Sequence, residues 1–259
     1  MAKYLVNDSS LTAVADAIRT KGGTTERLSF PDGFVSAVEG IQAGGDEIVE
    51  LLEGTITAFK NDNVTKIKER AFLGCSNLTF ASCANLKIIE GSYAFSSTPI
   101  QGFDFPKLEY IGANSFKSCV NLERIKLPSV NSGGAYCFRW CSGLKSCDYG
   151  TPDGQKSYIY NEWFSGCTQL KVIIIRYETI ILSLGNLDIL KDTPFYNGGT
   201  GGKCLVYSEL IGTYQTATNW SSMYEGGTVE FLALEDYTLD GTTAGEIDWD
   251  KVNALFEEV

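Results

Sequence analysis

The chain of 259 residues contains no histidine. Histidine is the usual general base, a common metal ligand and the usual partner of a nucleophilic serine or cysteine. Its absence excludes Ser-His and Cys-His catalytic arrangements, whereas hydrolysis by paired carboxylates needs no histidine. Because no carboxylate pair stands out, a carboxylate-dependent hydrolase is only a third hypothesis. We expect a protein that is not an enzyme and has no cofactor and no metal site.

Long apolar runs and positive charge are also scarce. No stretch approaches the length of a membrane span, and "MAKYLVNDSSLTAVADAI" at the start lacks the apolar core and cleavage site of a signal peptide. The 21 lysines and arginines are outnumbered by 32 acidic residues, which gives a net charge of −11. Nucleic acid and anionic membranes need a basic surface, so we expect neither nucleic-acid binding nor membrane insertion.

Residues 1–45 have the pattern of a small helical module. Apolar residues at Leu11, Val14, Ala15 and Ile18 fall on one helical face, and a second short helix is predicted in "PDGFVSAVEGI". The glycine break "AGGDE" at 43–47 marks a candidate domain boundary. Such a module fits two interpretations: a capping hairpin on the next domain, or a docking module for a larger assembly.

Beyond the break, one short motif recurs. The template F-x-x-C-x-x-L occurs four times, with its cysteines at Cys75, Cys119, Cys141 and Cys167. The first two cysteines are 44 residues apart, the next two are 22 apart, and the last interval is 26. A degenerate copy, "YAFSSTPI", fills the gap, with Phe95 in the phenylalanine position and Thr98 in the cysteine position.

The recurrence decides how these cysteines are interpreted. A period near 22 with one extended element per unit predicts a leucine-rich solenoid, in which each repeat stacks on its neighbours. A cysteine at a fixed repeat position is then a small packed side chain whose thiol faces the backbone of a turn. No C-x-x-C pair exists to suggest zinc, and without a secretory signal we expect a reducing compartment.

The repeat resembles the BspA-like subfamily of leucine-rich repeats. The matching residues are Val64, Ile67, Ala71, Phe72, Cys75 and Leu78 in one unit, and Ile111, Phe116, Cys119, Leu122, Ile125, Leu127 and Pro128 in another. The resemblance covers about residues 60–180. It implies an α+β fold, a solenoid of short strands at 46–232 that includes a C-terminal strand-helix cap. A helical module at 1–45 and a tail with a short helix at 233–259 complete the expected organisation.

The two ends of the chain suggest where the protein works. Residues 1–45 resemble a module at the start of bacteriophage and prophage tail or baseplate proteins, and "LEDYTLDGTTAGEIDWDKV" resembles a tail of phage-like proteins. These resemblances imply a virion protein made in the host cytoplasm. It would dock on tail or baseplate proteins through residues 1–45 and present its repeats to a host-cell surface glycan or protein. The alternative is a bacterial surface or secreted adhesin; a homo-oligomer is possible in either setting.

Two surfaces are candidates for ligand binding. The first lies around an insertion that lengthens one repeat, where aromatic and polar side chains alternate as in carbohydrate or protein recognition. Its candidate residues are Trp140, Tyr149, Asp153, Gln155, Tyr158 and Tyr160. The second is the outward row of the strands: Arg124 and Lys126, then Ser146 and Asp148, then Val172, Ile174 and Arg176. Trp140 stands where other copies have Gly74, Ser118 and Gly166, which predicts a surface turn. We favour the first surface, because the strand row is chemically mixed and has no aromatic centre. The alternative is that these aromatic residues form a locally irregular patch of the core.

Other motifs near the C-terminus are weaker. "GGTGGKC" lacks the first glycine of a phosphate loop, which would fall at Asn197, and a strand follows it. "DYTLDG" has Thr238 at the third position of a calcium loop and Ile247 at the twelfth, where the loop needs glutamate. We predict instead that Asp248 caps a last helix, and that "CLVYSELIGTYQTATNWSSM" forms the strand-helix cap with Tyr214, Ala217 and Trp220 on one face.

Overall fold

The computed structural model describes residues 56–151, 158–159, 162–196 and 198–257. The helical module predicted at 1–45 lies outside the described residues. From Thr57 onward the described chain forms one compact unit. None of the helices in this part of the protein is long and apolar enough to span a bilayer.

Short strands dominate this unit. In chain order they are β1 (Ala58–Lys60), β2 (Lys66–Ile67), β3 (Phe80–Ser82), β4 (Ile88–Ile89), β5 (Gly102–Asp104), β6 (Tyr110–Ile111), β7 (Arg124–Leu127), β8 (Ser132–Gly133), β9 (Ser146–Tyr149), β10 (Tyr158–Ile159), β11 (Val172–Ile175), β12 (Ser183–Leu184), β13 (Gly202–Val206) and β14 (Val229–Ala233). The helices are α1 (Ile211–Thr216), α2 (Trp220–Glu225) and α3 (Trp249–Ala254), with 3-10 turns at Leu187–Leu190, Ser208–Leu210 and Leu234–Tyr237.

The strands stack in parallel, as the repeat pattern predicts. On one face β1, β3 and β5 pair in that order, and β7, β9, β11, β13 and β14 pair in a second parallel sheet. On the other face β2, β4, β6 and β8 pair, and β10 pairs with β12. Each pair joins consecutive repeats, so the described residues form a leucine-rich-repeat solenoid whose core runs along its length.

The F-x-x-C motif builds a corner between the two strand faces. Successive phenylalanine rings, from Phe72 through Phe95, Phe116 and Phe138 to Phe164, stack at centroid distances of 4.8, 5.0, 5.2 and 5.7 Å. The backbone also pairs from corner to corner, as when the Phe95 N–H donates to the Ser115 carbonyl at 2.7 Å. The corner is therefore held by ring stacking inside and by a ladder of backbone hydrogen bonds between turns.

Cys119, Cys141 and Cys167 of the motif are buried as predicted, whereas Cys75 is half-buried. All eight cysteines lie among the described residues, and the structure joins no two of them in a disulfide. The thiols of Cys119, Cys141 and Cys167 donate to the phenylalanine carbonyls of the preceding turns at 3.2, 3.0 and 3.1 Å. Thr98 takes the cysteine position in the degenerate copy, and its hydroxyl donates to the Phe95 carbonyl at 2.8 Å.

One further corner is not predicted by the F-x-x-C motif. The Phe164 N–H donates to the Ile189 carbonyl at 3.0 Å, so the 3-10 turn Leu187–Leu190 continues the stack. Its cysteine position holds Thr193, whose hydroxyl donates to the Leu190 carbonyl at 2.6 Å. The copy was missed because it keeps the corner geometry without the phenylalanine or the cysteine.

The C-terminal cap consists of a strand followed by helices, as predicted. Strand β13 leads into α1 and α2, which carry the buried side chains Tyr214 and Trp220. The Trp220 indole donates to the Leu182 carbonyl at 2.8 Å, and the Tyr214 hydroxyl accepts from the Leu182 N–H at 2.9 Å. Burial raises the pKa of the Tyr214 hydroxyl. Two aromatic side chains thus anchor the cap to the segment before it.

The segment after β14 does not stand apart as a tail. Asp248 caps α3 as predicted, accepting from the N–H groups of Asp250 and Lys251. The helix and the preceding turn pack Leu234, Ile247, Val252 and Leu255 against outward-facing residues of β11 and β13. We name residues 234–257 the covering segment, because they close the outer side of the sheet there.

The covering segment overturns part of the predicted outward row. Ser146, Asp148, Val172, Ile174 and Arg176 are buried beneath it. Arg176 forms a bidentate ion pair with Asp148, at 2.7 and 2.9 Å, and donates to the Thr243 and Gly245 carbonyls of the covering segment. Only Arg124 and Lys126, on β7, keep the predicted exposure.

Candidate functional site

The predicted ligand-binding residues do not all lie on the surface. Trp140 is 46% exposed at a corner, as predicted, whereas Tyr149 is completely buried and contacts the Tyr177 ring edge-on at 6.2 Å. The interpretation of Tyr149 as a surface aromatic was therefore wrong, because Tyr149 pairs in register with the core residues Leu127 and Ile175 and faces the interior of the solenoid. Asp153, Gln155 and Tyr160 lie outside the described residues, and of Tyr158 only its backbone in β10 is described.

Trp140 has an unusual backbone. Its φ is +63°, in the left-handed region that bulky side chains seldom adopt. The same corner position in other repeats holds Gly74, Ser97, Ser118 and Gly166, all with positive φ. The Trp140 N–H donates to the Ser165 carbonyl at 2.8 Å, so the corner ladder imposes this conformation. A bulky residue that persists in such a conformation is a candidate for function.

Two cations flank the indole. The Lys117 ammonium lies 4.8 Å and the Arg139 guanidinium 4.5 Å from the Trp140 ring centroid. Both distances lie within the range of cation–π attraction, worth about 0.5–1 kcal/mol at exposed sites. Lys117 and Arg139 occupy the same position in consecutive repeats, where other copies have Leu73, Ser96, Ser165 and Lys191. This position therefore carries a cation in some repeats, and two of these cations lie over Trp140.

The Arg139 guanidinium also contacts a second aromatic ring and a carboxylate. It lies 5.0 Å from the Tyr136 ring centroid, and its Nη2 is 3.6 Å from Glu162 Oε2. Arg139 Nε is buried without a hydrogen-bond partner. Aromatic contacts and one loose ion pair thus hold the guanidinium, so part of its hydrogen-bonding capacity is unused.

The following repeat leaves room for the indole. A Cβ added to Gly166 would come within 2.2 Å of Trp140 Cδ1, so the ring lies directly over that glycine. Glycine at this position permits the contact and also the positive φ of +77°. We call Lys117, Tyr136, Arg139, Trp140 and Glu162 the Trp140 cluster.

The strand face offers a contrasting surface. An open groove of about 890 Å³ beside β7 is lined by polar side chains, among them Arg124 and Lys145. Arg124 already donates to the Asn253 side chain at 2.7 Å and lies 4.2 Å from the Trp249 ring centroid. Lys145 lies 3.2 Å from Glu123. None of the described residues that line the groove is aromatic, so the groove offers no stacking surface comparable to Trp140.

Sequence reasoning identified Trp140 but not the residues that complete its site. Lys117, Tyr136 and Glu162 come from three consecutive repeats and meet only when the corners stack. Composition alone does not single out these positions, because Tyr136 has a tyrosine counterpart in Tyr93 and Lys117 has a cationic counterpart in Lys191. Among the described residues, no group of three or more acidic or cysteine side chains is placed to hold a metal ion.

Comparison with known proteins agrees with this geometry. Residues 88–187 match the protein family described as "BspA type Leucine rich repeat region (6 copies)". This region is therefore similar to BspA-type leucine-rich repeats.

Two solved structures show weaker similarity. A leucine rich cell surface protein from Faecalibacterium prausnitzii A2-165 is 15% identical with a TM-score of 0.32, over 70% of this chain and 64% of that one. A leucine-rich repeat protein from Bacteroides ovatus ATCC 8483 is 17% identical with a TM-score of 0.27, over 69% of this chain and 58% of that one. The chain therefore spans less than two thirds of the length of both. None of the curated proteins matches it.

Proposed function

We propose that this leucine-rich-repeat protein is a non-enzymatic recognition protein that binds a cell-envelope component, a glycan or a protein, at the Trp140 cluster. The observation that carries the proposal is the exposed Trp140, held in a left-handed conformation between two cations. Its positive φ costs free energy that glycine at the same position would avoid. A strained and exposed aromatic side chain gains nothing for the core, so a binding role accounts for it best.

Two settings are consistent with this role. The resemblance of residues 1–45 to phage tail modules supports a virion protein that docks on a tail or baseplate and recognises the host cell. The BspA-type repeats also suit an adhesin on a bacterial surface. Mass spectrometry of purified phage particles and of the surface fraction of producing cells distinguishes the two settings.

The binding site is tested with variants taken from the protein's own repeats. Trp140→Gly introduces the residue that Gly74 and Gly166 provide at the same corner position, so the backbone keeps its conformation. Loss of backbone strain and loss of the cation–π contacts, each about 1 kcal/mol, oppose one another. We expect a melting temperature within a few degrees of the wild type and loss of binding to cells or wall extracts from a panel of gut bacteria.

The matched control is Arg124→Ala with Lys126→Ala, which removes two exposed cations from the strand face. We expect this control to bind nearly as well as the wild type. If the control abolishes binding and Trp140→Gly does not, the strand face is the site and the proposal is wrong.

A further inference from the structure

The charges around Trp140 indicate the chemical class of the ligand. Lys117 and Arg139 lie within 5 Å of the ring centroid, in a chain whose net charge is −11. At physiological ionic strength, screening acts over about 8 Å, so a group that touches the indole experiences these two cations more than distant carboxylates. The ligand therefore combines a face that stacks on an indole with an anionic group at its edge.

The geometry points to a saccharide that carries a carboxylate: we propose that the Trp140 cluster binds a uronic or sialic acid unit of an acidic glycan. This inference rests on the proposed recognition function. The apolar face of the pyranose contacts the exposed part of the Trp140 side chain, and the carboxylate pairs with Lys117 and Arg139 beside it. Glu162, 3.6 Å from the guanidinium, is placed to accept hydrogen bonds from sugar hydroxyls.

Other anionic ligands fit less well. Nucleic acid gains its affinity from many phosphate contacts, and two cations on an acidic chain supply few. An acidic peptide offers carboxylates on flexible side chains, without a rigid face to stack on the indole. An arginine also suits a carboxylate in general, because a guanidinium can donate two parallel hydrogen bonds to its oxygens.

Calorimetry with defined probes tests this class. The acidic probes are oligogalacturonate, a hyaluronan octasaccharide and sialyllactose; their neutral partners are methyl-esterified oligogalacturonate and lactose. Hexaglutamate provides carboxylates without a pyranose. We expect at least one acidic sugar to bind the intact chain at least tenfold more tightly than its neutral partner and than hexaglutamate. This preference should shrink as salt is raised, because the exposed cations become screened.

Variants again come from equivalent repeat positions. Lys117→Leu and Arg139→Ser place the residues of Leu73 and Ser165 at the same corner position, and each should weaken binding of the acidic sugar about tenfold. Trp140→Gly should abolish it. Arg124→Ala with Lys126→Ala should change affinity less than twofold.

Three results would overturn the ligand class: equal binding of the neutral partners, equal binding of hexaglutamate, or no binding of any acidic sugar. These failures differ from failure of the proposed function. If envelope extracts still bind in a Trp140-dependent manner, the site stands and only the carboxylated sugar is wrong. If extract binding does not depend on Trp140, the proposed site fails as well.

Discussion

Cysteine recurs at the repeat corners because a small thiol can be buried there with its hydrogen bond made. Burial raises the pKa of the Cys119 and Cys141 thiols well above the ordinary value, so both remain protonated donors at neutral pH. Thr98 and Thr193 show that a hydroxyl serves in the same position. The corner therefore requires a small side chain with one donor, and not thiol chemistry.

A pair of substitutions at Cys119 tests this requirement. Cys119→Thr introduces the residue of the preceding corner, and we expect the free energy of unfolding to change by less than about 1.5 kcal/mol. Cys119→Asp places an unpaired charge beside the Phe95 carbonyl and should destabilise by about 3–5 kcal/mol. Urea unfolding followed by circular dichroism measures both. Equal stability of the two variants would show that the side chain is not buried.

At the scale of elements, the covering segment explains why one sheet has two kinds of strand. Outward residues of β7 are charged and exposed, whereas those of β11 are apolar and buried. The run "VIII" of β11 carried this information, because a strand that is apolar at every position is typical of one buried on both faces. Alternation was expected there because the neighbouring repeats show it.

The ion pair beneath the covering segment should be important for stability. Asp148→Asn leaves the buried Arg176 guanidinium without its charged partner, and loss of one partner of a buried pair costs about 3–5 kcal/mol. Asp104→Asn changes the equivalent outward position on β5, where the side chain is exposed, and serves as the control. Differential scanning calorimetry should show a large decrease in melting temperature for Asp148→Asn only. Equal melting of the two variants would contradict the role of the pair.

Across the whole molecule, features that lie within one repeat can be predicted from the sequence, whereas contacts between repeats or between distant segments cannot. Local sequence patterns predict the repeat period, the strand faces and the packed cysteines. They also predict the C-terminal strand-helix cap and the capping of α3 by Asp248. They do not predict the covering segment, because its contacts with β11 join residues far apart in the chain. Nor do they predict the Trp140 cluster, whose members come from three consecutive repeats. Sequence spacing alone does not show that Lys117 and Arg139 lie over one indole.

The covering segment also limits where a large ligand can bind. It covers the outward residues Val172 and Ile174 of β11, whereas the outward residues of β7 are exposed in the described part of the chain. The corner surface is not covered at Trp140, which remains the most exposed tryptophan or tyrosine of the cluster. Recognition at the corner therefore needs no displacement of the covering segment.

Hydroxyl-radical footprinting of the intact protein tests the central claim most directly. The protein is oxidised alone and with a wall extract that captures it, and side-chain oxidation is compared by mass spectrometry. We predict strong protection of Trp140 and Tyr136 in the bound sample. Phe80, on the open strand face, and Trp249, in the covering segment, should be oxidised equally in both samples. Protection of Phe80 with unchanged oxidation of Trp140 would contradict recognition at the Trp140 cluster.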